Sequence, residues 1–134
     1  MRYAYDRGLL DTSVVLDLGE IDPDVLPDEF AISSITLAEL AAGPSATSDN
    51  MERARRTSQL QRIESLFECI PFDARAARAY GLIYASIVES GRSPRRRLAD
   101  LLIASCALAE DLRLFTRNPE DFKGIEDLVR IVAV

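Results

Sequence analysis

Five short apolar runs, over residues 8–11, 30–33, 69–72, 112–115 and 129–134, are separated by helical periodicity or polar loops, with no two-residue hairpin signal between them. Strands that no tight turn can join need crossover connections, and crossovers set neighbouring strands parallel. Helices on those crossovers cover both faces of the sheet, so each strand reads as a continuous apolar run. The expected fold class is α/β, a three-layer α/β/α sandwich around a central, mostly parallel sheet of about five strands. A chain of 134 residues has material for one such unit, so residues 1–134 are expected to form a single domain.

Helical spacing fills the intervals. A helix is expected from about Ser13, and a short one over residues 36–42 that stops at Gly43-Pro44. Residues 50–68 predict an amphipathic helix with Leu60, Ile63, Leu66 and Phe67 on one face. Residues 73–90 repeat Ala76, Ala77, Tyr80, Ile83, Tyr84, Ile87 and Val88 at helical intervals and end at Gly91. The tyrosines there are read as packing groups rather than a stacking platform for bases. Residues 98–110 are apolar nearly all round, the pattern of a central helix.

What the chain lacks narrows its chemistry. It has no histidine, which excludes a Ser-His-Asp or Cys-His nucleophile pair, a histidine-bearing zinc site and a histidine-based ribonuclease centre. Cys69 and Cys106 lie far apart inside apolar segments, so no redox pair or four-cysteine metal site is available, and both are read as core residues. No segment reaches the roughly 18 apolar residues of a membrane span, and MRYAYDRG is not a secretory signal; no membrane association and a cytoplasmic location are expected. Carboxylates, hydroxyls and cations remain.

With 22 acidic against 16 basic residues, the net charge of −6 excludes a uniformly basic nucleic-acid surface. Local patches survive that balance: Arg53, Arg55 and Arg56, read as a solvated face or a docking surface, and Arg95, Arg96 and Arg97. An arginine cluster can hold phosphate through its planar fork of donors.

Three acids stand inside apolar segments: Asp11 in LLDTSVV, Glu39 in TLAELAA and Asp100 in LADLLIASC. A buried lone carboxylate costs several kcal/mol, so each needs compensation. In a parallel sheet with the first strand central, all three can converge at the carboxyl edge, where open α/β sheets place their sites. Converging carboxylates repel unless protonated or bridged by a cation, and Mg²⁺ or Mn²⁺ prefers such oxygen ligands. Each acid also has a purely structural account: Asp11 as an N-cap, Asp100 as a first-turn acid, Glu39 as the partner of a buried arginine. At the end of the fourth strand, Thr116, Asn118 and Asp121 add a polar cluster; Asn118-Pro119 also reads as a turn, and Asp121 as a solvated loop acid or helix cap.

The pieces LLDTSVV, TLAELAAG, ADLLIASCA and TRNPEDF, in this order over almost the whole chain, resemble those of the PIN-domain ribonucleases, in particular the VapC-type toxins of bacterial toxin–antitoxin pairs. The resemblance implies that Asp11, Glu39 and Asp100 form the acidic metal site and that Asn118 stands where many members carry a fourth acid, with Asp121 as a neighbouring substitute. Thr12 and Ser13 match the hydroxyl pair after the first acid and are candidates for contacts to water or for capping the first helix. The implied activity is metal-dependent endoribonuclease action, in which Mg²⁺ or Mn²⁺ activates water for hydrolysis of an RNA phosphodiester without a protein nucleophile. That agrees with the missing histidine. Arg97, just ahead of Asp100, is a candidate contact to RNA phosphate.

The resemblance further implies a homodimer and a cognate VapB-like antitoxin, for which the 50–68 helix beside the Glu39 helix is the expected clamp. A competing reading is a catalytically silent PIN-like module that binds protein or RNA. A phosphoacceptor receiver or aspartyl-phosphate phosphatase needs a lysine by the phosphate, and the single lysine, Lys123, follows a turn that ends no expected strand.

Overall fold

In the computed structural model, which describes residues 7–134, the apolar runs become β1 (Arg7–Leu10), β2 (Glu29–Ser33), β3 (Glu68–Ile70), β4 (Arg113–Thr116) and β5 (Ile131–Ala133). The reading of the N-terminus as free of a signal lies, for residues 1–6, outside the described residues. Between the strands run α1 (Thr12–Leu16), α2 (Ser34–Ala42), α3 (Asn50–Leu66), α4 (Ala74–Glu89) and α5 (Leu98–Glu110). Among the described residues the strands form one sheet in the order β3-β2-β1-β4-β5, every neighbouring pair parallel. The order reverses at β1, so the carboxyl ends of β1 and β4 flank the crevice in which α/β sheets hold ligands.

Alternation along the strands builds the layers. Leu9, Ala31 and Leu114 join Ile83, Ile87, Leu101 and Ile103 of α4 and α5 in one apolar cluster. Their chain neighbours Leu10, Ile32 and Phe115 join Val14, Val15, Leu40 and Ile63 of α1, α2 and α3 in another. Successive side chains of a strand point to opposite faces, so the clusters lie on opposite sides of the sheet. Each fully buried Leu, Ile or Phe contributes roughly 1.5–3 kcal/mol. Gly8 is required where β1 crosses the buried Phe115 ring, because a Cβ there would collide with that ring and with Pro27.

The ends of the helices follow local chemistry. Ser33 Oγ accepts the Thr36 N–H at 3.1 Å, which starts α2 two residues before its expected position. Asp73 caps α4 in the same way, accepting from the Ala76 N–H at 3.0 Å. At the other end of α4, Gly91 adopts φ +79° while the Arg92 N–H donates to the Ile87 carbonyl at 3.1 Å, which turns the chain into the arginine-rich segment.

Three expectations change. The third strand ends at Ile70, because Pro71 has no N–H to continue the ladder. Cys69 is exposed: on this edge strand Ile70 takes the inward position, and only Cys106 is a core cysteine. On α3, Ile63 is buried but Leu66 is 67% exposed, so the expected apolar face is only partly covered. Polar contacts also hold this helix. Arg53 donates to the carbonyls of Pro44 and Thr47, and Arg56 to that of Gly43. Arg55 and Arg56 both bond Glu52, whose carboxyl they hold down at about 2. Their role in the fold explains this arginine cluster. Among the described residues no helix is long and apolar enough to cross a membrane.

Candidate functional site

Asp11 follows the last residue of β1, and its backbone N–H extends the ladder by donating to the Phe115 carbonyl at 2.9 Å. This fixes the side chain, 4% exposed, at the switch between β1 and β4. Oδ2 accepts two hydroxyl bonds at 2.9 Å each, from Ser13 and from the fully buried Thr116 at the end of β4. Those hydroxyls are held in turn: Thr116 Oγ1 accepts the Asn118 N–H at 3.0 Å, and Ser13 Oγ the Arg117 N–H at 3.1 Å. The carboxylate is therefore clamped along one edge. Asp11 occupies the N-cap position of α1, as its structural account expects, but its side chain makes no capping bond, so capping does not account for the carboxylate.

Oδ1, the other oxygen, is buried and has no hydrogen-bond partner. An unsatisfied buried polar atom costs about 1–3 kcal/mol, and more when charged. Such an atom calls for a function.

Asp100 enters from the first turn of α5, half-buried. Burial first, and then the charges of Asp11, Asp121 and Glu39, push its carboxyl up from 3.8 to about 6, against the opposing pull of Arg97. Three acids from three other segments thus act on Asp100. The sequence pointed to Asp11, Glu39 and Asp100 and offered Asp121 as a neighbouring substitute; Asp121 acts from the 3-10 turn Pro119–Phe122. Asp121 also pairs with Arg97 at 3.2 Å, so it is neither a solvated acid nor a cap.

Glu39 is exposed on the rim of α2, contrary to the expectation of burial, because Thr36 and Leu40 take the inward positions of that helix. Its partner is a hydroxyl and not a buried arginine: Thr12 Oγ1 donates to Glu39 Oε1 at 2.7 Å. Thr36 Oγ1, fully buried, lies 3.0 Å from Thr12 Oγ1 and backs that bond. The sequence reading missed Thr36; its place one helical turn before Glu39, on the same face, was the available signal. Thr12, Ser13 and Thr116 are thus engaged in orienting acids. Asn118 is exposed just past the end of β4 and its side chain caps nothing.

Among the described residues no three of Asp, Glu and Cys are close enough to form a ready-made coordination shell. Asp100 nevertheless feels the other three carboxylates, after its own burial, as a like charge that a cation would relieve. A hard divalent ion fits the donors: all are oxygens, one is buried and unsatisfied, and neither cysteine shares in the field that shifts Asp100.

Comparison with known proteins agrees with this geometry. The model of the PIN domain family matches residues 8–128. Ribonuclease VapC5 of Mycobacterium tuberculosis is 35% identical over 122 residues, covering 89% of this chain and 87% of its own. Ribonuclease VapC of Rickettsia bellii is 30% identical over 126 residues, covering 90% and 91%. The crystal structure of VapBC-5, a toxin–antitoxin system member from Mycobacterium tuberculosis, superposes with a TM-score of 0.84 at 34% identity, over 96% of this chain and 99% of that one. The carboxyl-edge acids, the parallel sheet and these matches agree, and the chain belongs to the PIN domain family, among the VapC ribonucleases.

Proposed function

We propose that this protein is a metal-dependent endoribonuclease, the toxin of a toxin–antitoxin pair, that hydrolyses RNA phosphodiester bonds. The observation that carries the reading is the unsatisfied buried Asp11 Oδ1, on a carboxylate whose other oxygen two hydroxyls hold and which acts with Glu39 and Asp121 on Asp100. Asp11, Glu39 and Asp100 would hold the ion, Mg²⁺ or Mn²⁺, with Asn118 and Asp121 at the edge of the site. Such an ion, when bound, supplies Lewis-acid stabilisation of charge on the phosphoryl oxygens and acidifies water. The chain's own part is positional. Ser13 and Thr116 keep Asp11 Oδ2 occupied and leave Oδ1 unpartnered, and Thr12, backed by Thr36, directs Glu39. No side chain is required as nucleophile, in keeping with a chain that has no histidine.

The partner we assign is a VapB-like antitoxin. A cavity of about 360 Å³ between α1, α2 and α3, lined by Thr12, Leu16, Glu39, Leu40, Arg56 and Gln59, opens beside Glu39. It suits a partner segment with an apolar anchor over Leu16 and a cation directed at Glu39. The homodimer reading is supported by the stripe of Tyr84 and Val88 on α4, 47% and 51% exposed, beside the half-buried Tyr80. Tyr84 packs edge to face on Tyr80 at 6.1 Å, and Tyr80 in turn packs on the core, so the stripe is held in place from below.

The direct experiment is cleavage of purified tRNA and a mixed RNA pool by the partner-free protein, with Mg²⁺, with Mn²⁺ and with a chelator, beside Asp100→Asn. Metal-dependent cleavage that the variant lacks is the expected result. A folded protein that cuts no RNA with either ion would leave the silent binding module as the better reading. For the partner, equal antitoxin affinity for the native chain and for the Glu39→Ala, Asp100→Ala chain would exclude a cation seated in the carboxylates.

A further inference from the structure

A second cavity, of about 410 Å³, opens on the side of the carboxylates away from α2. Its walls are the end of α4, the 3-10 turn Pro94–Arg97 and the 3-10 turn Pro119–Phe122. Arg92, Arg96, Arg97 and Lys123 converge on it over an apolar floor that includes Ile87 and Leu101. Two acids, Glu120 and Asp121, share the lining, and Asp121 is engaged with Arg97. Among the described residues, Arg96 and Lys123 have no ion pair, and Arg92 only adds to the field that holds the Glu126 carboxyl down. A chain of net charge −6 thus gathers four cations, its one lysine included, around a single hole.

The arrangement has a direction. Arg97 and Asp121 form the wall common to the hole and to the acid cluster, since both act on the Asp100 carboxyl. A negative cluster fit for a cation therefore adjoins a positive hole with spare charge. A polyanionic strand matches that sequence of charges. One phosphate would be neutralised at the acids through their ion, and a neighbouring phosphate directly by guanidinium and ammonium groups. An acidic peptide would match the hole but not the carboxylates next to it, which would repel it. Leu101 and Ile87, both buried, close the back of the cavity and leave its charged rim as the surface a ligand meets.

We propose that this cavity is a subsite for the backbone phosphate next to the scissile one, held by Arg92, Arg96 and Lys123. The proposal rests on the ribonuclease reading. It assigns a grip on substrate to residues outside the metal-binding acids.

The test uses the full chain carrying Arg92→Ala, Arg96→Ala and Lys123→Ala, together and singly, on the native and the Asp100→Asn backgrounds. A control, Arg62→Ala with Arg78→Ala, removes exposed cations from α3 and α4 away from the cavity. The probe is a fluorescein-labelled single-stranded RNA 12-mer of mixed sequence, followed by anisotropy from low to moderate salt. The expected result is affinity lowered about tenfold in the triple variant, with a salt slope shallower by about 0.7 for the lost phosphate contact. On the native background KM for RNA rises with kcat nearly unchanged, because the metal-binding acids are intact.

If the triple variant matches the control in affinity, salt slope and KM while the native chain still cleaves RNA, the subsite is refuted and the nuclease reading stands. If the native chain cleaves no RNA with either ion, the nuclease reading fails and the subsite with it. Unchanged RNA binding with lost affinity for a deca-glutamate peptide would refute the subsite and give the cavity to a protein partner. Since Arg92, Arg96 and Lys123 are exposed, the variants are expected to fold. Lys123→Glu, which should weaken RNA more than Lys123→Ala, separates charge from packing.

Discussion

Replacing Asp100 by Asn should make the protein more stable at neutral pH while abolishing its activity. The Asp100 carboxyl lies at about 6 in the fold against an ordinary 3.8, chiefly through burial and then the Asp11, Asp121 and Glu39 charges. Between those two values the unfolded chain releases its proton while the folded chain keeps it, so stability falls as pH rises through the window. The contribution is whole below about pH 4 and gone above about pH 6. Fully expressed, the difference is worth about 3 kcal/mol at 1.36 kcal/mol per pKa unit. Asp100 is only half-buried, and solvent screening reduces this to roughly 1–2 kcal/mol. Asn carries no charge at any pH and escapes the penalty. For a chain of 134 residues this corresponds to a Tm gain of roughly 3–8 °C at about pH 7, vanishing near pH 4. Calorimetric or circular-dichroism melts of both proteins at the two pH values measure it. Saturating Mn²⁺ should reverse the order, because an ion at 100 times its Kd adds about 2.7 kcal/mol to the native chain and little to the variant. Equal gains at both pH values, or a lower Tm for Asp100→Asn near pH 7, would refute the electrostatic account of this site.

Thr116→Val removes a donor to Asp11 Oδ2 at nearly constant shape, and calorimetry should show divalent-ion affinity reduced roughly 10–100-fold, as for other groups that orient a metal ligand. Gly8→Ala puts a methyl into the Phe115 ring and should cost roughly 1–3 kcal/mol in urea denaturation, with the slope unchanged. Thr12→Val frees Glu39 and strands the buried Thr36 hydroxyl, so it should lower kcat for RNA and cost roughly 1–3 kcal/mol in urea denaturation. Asp121→Asn should weaken Mn²⁺ binding more than Asn118→Ala does, because Asp121 acts on Asp100 and the Asn118 side chain caps nothing; equal losses would count against Asp121 as the additional acid.

The strands and helices were legible in the chain because their periodicities are local. Runs such as GLL and LFT report burial on both faces of a parallel sheet, and their spacing leaves only crossover connections. Asp11, Glu39 and Asp100 were legible for a related reason: an acid among apolar residues is conspicuous whatever surrounds it in space. The misreadings occurred where neighbours in space decided the outcome. Cys69 looks buried in sequence, but β3 is an edge strand; Leu66 looks inward-facing, but arginine contacts to backbone carbonyls and to Glu52 help to fix α3.

By itself, then, the sequence determined the class of fold, the acids and, through the absence of histidine, the kind of chemistry open to the chain. Tertiary structure alone decided which oxygen of Asp11 is free, that Thr116 and Ser13 hold the other, and that Thr36 stands behind Thr12. It also brought Arg92, Arg96, Arg97 and Lys123 together around one cavity. Periodicity is a property of neighbours along the chain, whereas the bond between Thr116 and Asp11 joins the ends of two strands that meet only because β4 pairs with β1. No pattern in either segment could announce it.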